Sequence, residues 1–470
     1  MSLATRGASL GVFSLAMMTA GSVDSIRNLP ATALFGNSLI FFFALGALFF
    51  LLPSALVAAE LASRKGGRAG IFGWVTEAFG YSSGFLAVWF QWIENVIWYP
   101  TILSFIAATV GYWVSPDLAQ SKAFLVSVIV VAFWGMTWLN LRGIQASAGF
   151  SNFCAIAGLL LPMSLIMGLG CAWILSGHPV QISLHPKDWL PTSGGGDMWV
   201  SLTGIMMSFC GMEIAAVHAG DVANPQRAYP RAMALATGII VVTLLCGSLS
   251  IAAVLPHQTI SLVAGIMQAF DVFFGAYHWH WILPFVALAL VLGGLGGVNN
   301  WIIAPTRGLT QALREGNALA RITALNAKGA PRFLLWVQAV IVMGVTLVFL
   351  LMPSVNGSYW FLTALTAELY MIMYIFMFVA AIRLRYIRSK QVGFCIPGGR
   401  VWGMWLVAGA GLLGTIVTII VGFMPPAGID VGGTVHYQMM LVGGLLVLGV
   451  PPWYWAVRRA RRQEIVYEVV

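Results

Sequence analysis

The sequence predicts an all-α, polytopic membrane protein of about twelve transmembrane helices, by the number of apolar runs it contains. Three observations predict it. Of 470 residues, 60% are hydrophobic and 8% charged, whereas a water-soluble domain uses about a quarter charged residues to cover its surface. Apolar runs of roughly 20 residues, the length that crosses a bilayer as a helix, recur from end to end. Ser38–Ala59, Ala123–Leu139, Met233–Leu255, Phe333–Met352 and Val401–Phe423 are examples. The cations collect in alternate loops between those runs, and no loop is long enough to hold a soluble domain.

In chain order, residues 9–176 hold the first five segments, 198–386 the next five and 400–457 the last two. Residues 458–470 form a short basic tail. Arg6 precedes the first segment and no small-residue cleavage site follows it, so segment one is expected to be retained and not removed as a signal peptide. Segment one reads "MMTAGSVDSIRNLPA", with Gly21, Ser22 and Pro30 interrupting the apolar pattern and Asp24 and Arg27 charged within it. Segment three carries Glu94 and segment ten Glu368. Segment six reads "IMMSFCGMEIAAVHAG", with Gly204, Gly211 and Gly220 as breakers and Glu213 and His218 as charge-bearing residues. The stretch "DVANPQRAYPRA" then stops that helix at Pro225 and Pro230, and Arg227 and Arg231 anchor it. Glu60 and Glu77 border loops and are expected to be solvated or paired there.

Of the 24 Lys and Arg residues, 21 fall on the side that carries both termini; Lys122 and Lys187 fall on the other and Arg27 within a segment. The positive-inside rule therefore places both ends in the cytoplasm. That distribution also argues against a nucleic-acid partner for the +9 net charge. The five cysteines form no pair in the outer loops, so no structural disulfide is expected. Six of the seven histidines map to outer loops or their edges, the usage of ordinary wet loops; His218 is the exception.

Two motif matches are set aside. Gly7-Ala-Ser9-Leu-Gly11 fits a nucleophile elbow without the strand that such a turn requires. Gly409-Ala-Gly411-Leu-Leu-Gly414 fits a dinucleotide fingerprint but lies inside an apolar helix, where small residues serve close packing. The P-loop lysine motif and the H-E-x-x-H pair are both missing, so direct nucleotide hydrolysis and a zinc protease are not expected.

An ionised residue at bilayer depth costs about 2.5–3.5 kcal/mol on insertion scales and marks a functional site by default. Asp24, Arg27, Glu94, Glu213, His218 and Glu368 are the candidates. The interruptions in segments one and six lie about five segments apart, which points to inverted repeats with a site near the midplane. Unwound backbone there leaves free N–H and C=O groups for a substrate's carboxylate and amino group.

These residues resemble the amino acid–polyamine–organocation transporters, in particular their glutamate/GABA antiporter branch. The likeness lies in "AELASRKGGRAGIFGWVTEAFG", "QWIENVIWYPTILSF", "GMEIAAVHAGDVANPQRAYPRA", "APTRGL" and "CIPGGR", in that order and spacing. The resemblance implies a LeuT-like fold in which segments one to five and six to ten are inverted repeats with broken helices one and six. It implies a secondary active transporter that moves amino acids across a bacterial inner membrane by alternating access, as an antiporter or as a proton symporter. It places Ser22, Val23, Asp24 and Ser25 against the substrate carboxylate and the carbonyls of Cys210, Gly211 and Met212 near the amino group. Glu213 matches the acidic residue that couples segment six to the gate, with Arg27 and His218 beside it as gating candidates. Segment eight reads "GGVNNW" where that branch has an acid, and Asn299 in it joins Glu94 and Glu368 as a substrate-facing candidate. The chain also ends without the long tail that plugs the inner mouth in relatives.

The expected partners are therefore an amino-acid substrate, protons and the lipid bilayer, with no cofactor and no metal, in a monomer or homodimer. A membrane-embedded enzyme would need clustered catalytic pairs facing one cavity, which the sequence does not show. A sensor would need an output domain, and a channel would pass ions without stoichiometry. With Asp24, Glu94 and Glu368 set against Arg27 alone, a neutral or cationic amino acid is the expected substrate.

Overall fold

The computed structural model describes residues 11–64, 70–142, 154, 156–183, 185–191, 199–214, 216, 222, 224–387, 393–399 and 401–468. His218, most of the Gly7–Gly11 motif and several basic loop residues lie outside them. Among the described residues the architecture is entirely helical, with one isolated antiparallel bridge between Leu325 and Pro331.

Among the described residues ten helices are long and apolar enough to cross a bilayer. They are α3 (Gly36–Ala62), α5 (Tyr81–Val114), α6 (Lys122–Leu141), α7 (Ala157–Leu175), α9 (Pro225–Val254), α11 (His280–Glu315), α12 (Arg332–Leu351), α13 (Val355–Ile387), α14 (Trp402–Gly422) and α15 (Thr434–Arg459, in a helix that runs on to Glu468). Segments one and six account for the difference from twelve, because segment one is broken into pieces too short for that test and the described helix of segment six is likewise too short. Segment one is α1 (Val12–Val23) followed by α2 (Leu29–Ala33). Segment six begins with α8 (Ser201–Ser208). Two shorter helices, α4 (Gly70–Phe79) and α10 (Gly265–Ala276), pack between the spans.

The breaks have local causes. Asp24 and Ser25 adopt extended backbone, with ψ of 128° and 118°, and Pro30 re-starts the helix at the position where its missing N–H costs nothing. In segment six Gly211 takes φ +114°, a conformation that a side chain strains. The two breaks touch. A Cβ added at Gly211 would lie 3.3 Å from Val23 Cγ2 and 3.4 Å from the Ser22 carbonyl oxygen.

Helices α5 and α13 form the post around which the others pack, with 89% and 78% of their most apolar stretches buried against 17% for α15. Each runs well beyond the roughly 20 residues a bilayer needs, so both tilt or project from it. Elsewhere large apolar side chains such as Leu48, Val131, Leu161, Leu288 and Leu406 are exposed, a surface that lipid solvates and water does not. The glycine run in α14 serves packing, as its sequence context implies: a Cβ at Gly411 would overlap the Phe378 ring and one at Gly414 the Phe49 carbonyl. Phe49 sits in a π-helical turn of α3 at Ala47–Leu51.

Candidate functional site

Where the two breaks meet α5, a cavity of ≈ 50 Å³ is lined by residues of both interrupted segments, α5, α11 and α13. That volume holds about three or four waters, the bulk of an amino acid's backbone and little side chain. Ser22, Val23, Ser25 and Arg27 reach it from segment one, Glu94 from α5 and Cys210 from segment six. A larger, more open cavity of ≈ 310 Å³ lies between the loops around Phe35, Asn37, Gln181 and His257. It holds none of the buried charges, and the smaller cavity is the one that matters chemically.

Arg27 is 2% exposed and held by neutral groups. Its Nη1 donates to Thr101 Oγ1 and to Tyr359 Oη, both at 3.0 Å, and the Tyr359 hydroxyl donates back to the Arg27 carbonyl at 3.2 Å. The guanidinium lies 5.1 Å from the Trp98 ring centre, a cation–π contact that offsets part of its desolvation. Among the described residues no carboxylate pairs with it within 4.0 Å. Glu94 on the other wall accepts one hydrogen bond, from Asn95 Nδ2 at 3.3 Å. The cavity therefore presents one cation and one acid, neither used up by a protein partner.

Glu213 is clamped instead. Oε1 accepts from Gln91 Nε2 at 3.0 Å and Tyr370 Oη at 2.8 Å, and Oε2 accepts from Tyr374 Oη at 2.5 Å. Tyr374 Oη in turn accepts the Gly211 N–H at 2.8 Å. Three donors around one acceptor group suit a carboxylate. The chain Gly211–Tyr374–Glu213 joins the break itself to α13 and, through Gln91, to α5.

The structure separates other residues that the sequence places together. Asp24 is buried but turned toward α9, where Oδ2 accepts from Thr243 Oγ1 at 2.7 Å. Asn299 accepts from Asn140 Nδ2 at 2.9 Å and so faces α6. Glu368 lies against Gly422 of α14 and Thr203 of α8. Met212 is buried in the core and the Gly211 carbonyl accepts the Ile214 N–H at 3.1 Å, so of the three segment-six residues only Cys210 lines the cavity. The expectation of three acids against one arginine thus gives way to one against one, because the extended backbone of the break turns Asp24 to α9 and the azimuth of α13 turns Glu368 to α14. Arg27 and Asp24 form no bridge.

Sequence reasoning missed Asn28, Asn95, Trp98, Met207, Trp301 and Tyr370 on the cavity wall. Trp98 stands four residues after Glu94 and so shares its helix face, a signal that was present. Trp301 and Tyr370 each stand two residues from a polar candidate, Asn299 and Glu368, and so point to other faces of their helices than the residues the sequence singled out.

Glu60 is paired, one of the two outcomes expected of it, and is also buried. It is 0% exposed and takes a bidentate grip from Arg385, with Nε to Oε1 at 2.7 Å and Nη2 to Oε2 at 2.5 Å. Arg64 Nη2 and the Ile396 N–H complete it at 3.2 and 2.9 Å. This knot fastens the end of α3 to the end of α13 and to the "CIPGG" segment.

The amino acid permease family model matches residues 10–445. The chain belongs to that family. It is a multi-pass membrane transporter of the amino acid–polyamine–organocation superfamily. An uncharacterized transporter of Legionella pneumophila is 42% identical, the match covering 95% of this chain and 96% of that one. A glutamate/gamma-aminobutyrate antiporter of Lactococcus lactis is 29% identical over 94% of this chain and 89% of its own. Among solved structures, a manganese transporter of Eremococcus coleocola superposes with a TM-score of 0.55 at 13% identity, covering 98% of this chain and 99% of that one. At that identity the likeness shows the fold alone, which is LeuT-like.

Proposed function

We propose that this permease exchanges neutral, zwitterionic amino acids across the bacterial inner membrane by alternating access, with both termini in the cytoplasm. The observation that carries the reading is the pair of unshared charges, Arg27 and Glu94, facing one small cavity between two broken helices. An arginine left without a carboxylate partner at bilayer depth fits a substrate carboxylate, and Glu94 fits the ammonium. Each charge brought by such a substrate offsets one already there. A second side-chain charge would find no partner in the cavity and would bear its desolvation uncompensated. Segments one to five and six to ten act as the inverted repeats, and the touching breaks at Ser22–Val23 and Gly211 form the pivot between them. The name of the Lactococcus relative supports exchange over symport.

Counterflow in proteoliposomes tests this. Serine, glutamine and leucine compete with labelled substrate, and arginine and ionised glutamate compete weakly. Strong competition by glutamate at neutral pH refutes the charge argument. Substitution of Ser22 by a bulky residue abolishes counterflow while leaving insertion intact; unchanged uptake places the site elsewhere.

A further inference from the structure

We propose that Glu368 is a proton-binding site, separate from the substrate cavity, where α8, α13 and α14 meet. The carboxyl is 1% exposed and neither oxygen has a hydrogen-bond partner. Gly422 presses so close that a Cβ there would overlap Oε1 and stand 3.7 Å from Thr203 Oγ1, and the Thr203 hydroxyl also has no partner. Gly422 is the last residue of α14, so the carboxyl faces the negative end of a helix dipole. The Gly422 carbonyl already accepts from Tyr437 Oη at 2.8 Å.

Among the described residues no cation pairs with the Glu368 carboxyl. Helices α8 and α14 contribute no titratable residue to the contact. From α15 the facing group is Tyr437, while His436 beside it is exposed and packs on Gly432. On α13 itself Tyr370 is committed to Glu213. An ionised carboxylate here would lack donors, lack a counter-ion and face partial negative charge; the neutral acid is the form that this pocket holds.

The proton's exchange follows from the break in segment six and rests on the alternating-access reading above. Thr203 belongs to the short helix α8, which ends at the turn through Phe209–Glu213, whereas α13 continues unbroken past this depth and α14 runs unbroken up to it. A swing of α8 about that turn uncovers the carboxyl to water. The O–H bond then breaks and the proton passes to water; closure requires the acid to take one up again. One proton is bound and released per closure and opening.

Two measurements on the full-length protein in liposomes decide the matter. Infrared difference spectra of wild type against Glu368→Gln should show loss of a protonated carboxylic-acid carbonyl band; loss of an ionised carboxylate band overturns the proposal. With pH varied equally on both sides of the vesicles, the wild-type counterflow rate should fall as pH rises, because closure waits for the acid to take up a proton; Glu368→Asp should keep that dependence and the permanently neutral Glu368→Gln should lose it. A pH dependence in Glu368→Gln equal to wild type, or none in wild type, overturns the proposal. If wild type carries no amino acid at all, the functional reading fails, and the infrared comparison still decides whether Glu368 holds a proton. If Glu368→Gln does not insert, the Glu368→Asp spectrum serves, since a shifted acid band supports the site and an unshifted one overturns it.

Discussion

Removing the Tyr374 hydroxyl should cost more than removing that of Tyr370, although both bind the same carboxylate. Tyr370→Phe deletes one of three donors to Glu213, a bond of 2.8 Å, and leaves Gln91 and Tyr374 in place. A hydrogen bond to a charged group contributes about 1.5–3 kcal/mol, which bounds that loss. Tyr374→Phe deletes the 2.5 Å bond and also strips the Gly211 N–H of its acceptor. A buried donor left unsatisfied adds about 1–3 kcal/mol, so the total is about 2.5–6 kcal/mol. The excess falls on the break, because Gly211 loses its tether to α13. Thermal unfolding of both variants in detergent, followed by tryptophan fluorescence, measures the difference, with counterflow as the functional readout. Equal destabilisation, or a larger effect at Tyr370, refutes the claim that Tyr374 joins the break to the clamp.

Three further outcomes follow from the same geometry. Glu213→Gln should lower the maximal exchange rate strongly and substrate affinity mildly, since the carboxyl is clamped outside the cavity wall; lost affinity at an unchanged rate contradicts this. Arg385→Ala should destabilise by about 3–5 kcal/mol, the cost of leaving a buried partner uncompensated, and the double variant with Glu60→Ala should cost less than the sum of the two singles in a double-mutant cycle. Reporters fused at Lys187 and Arg459 should report opposite faces of the membrane, and the same face for both removes the proposed topology.

Much of the molecule was legible without coordinates because membrane insertion acts on local composition. Apolar length, the side on which cations collect and the places where Gly, Ser and Pro interrupt a run are properties of contiguous residues, and a bilayer reads them segment by segment. That is why the ten spans and the two broken segments were visible. The charged residues worth watching were visible for the same reason, since Arg27, Glu94 and Glu213 each stand out against an apolar background.

What each of those charges faces was decided only by tertiary structure. Asp24 and Ser25 are neighbours in the chain, yet one turns to Thr243 on α9 and the other lines the cavity. Glu94 and Glu368 look alike in sequence, and helix rotation sets one beside the breaks and the other against Gly422. Glu60 reads as a loop-edge acid and is a buried partner of Arg385, 325 residues away. Facing depends on the azimuth at which each helix packs, and in an apolar helix nearly every azimuth is chemically equivalent to lipid. The sequence could therefore say that a charge is buried, and only the packing of α5, α8, α13 and α14 could say against what.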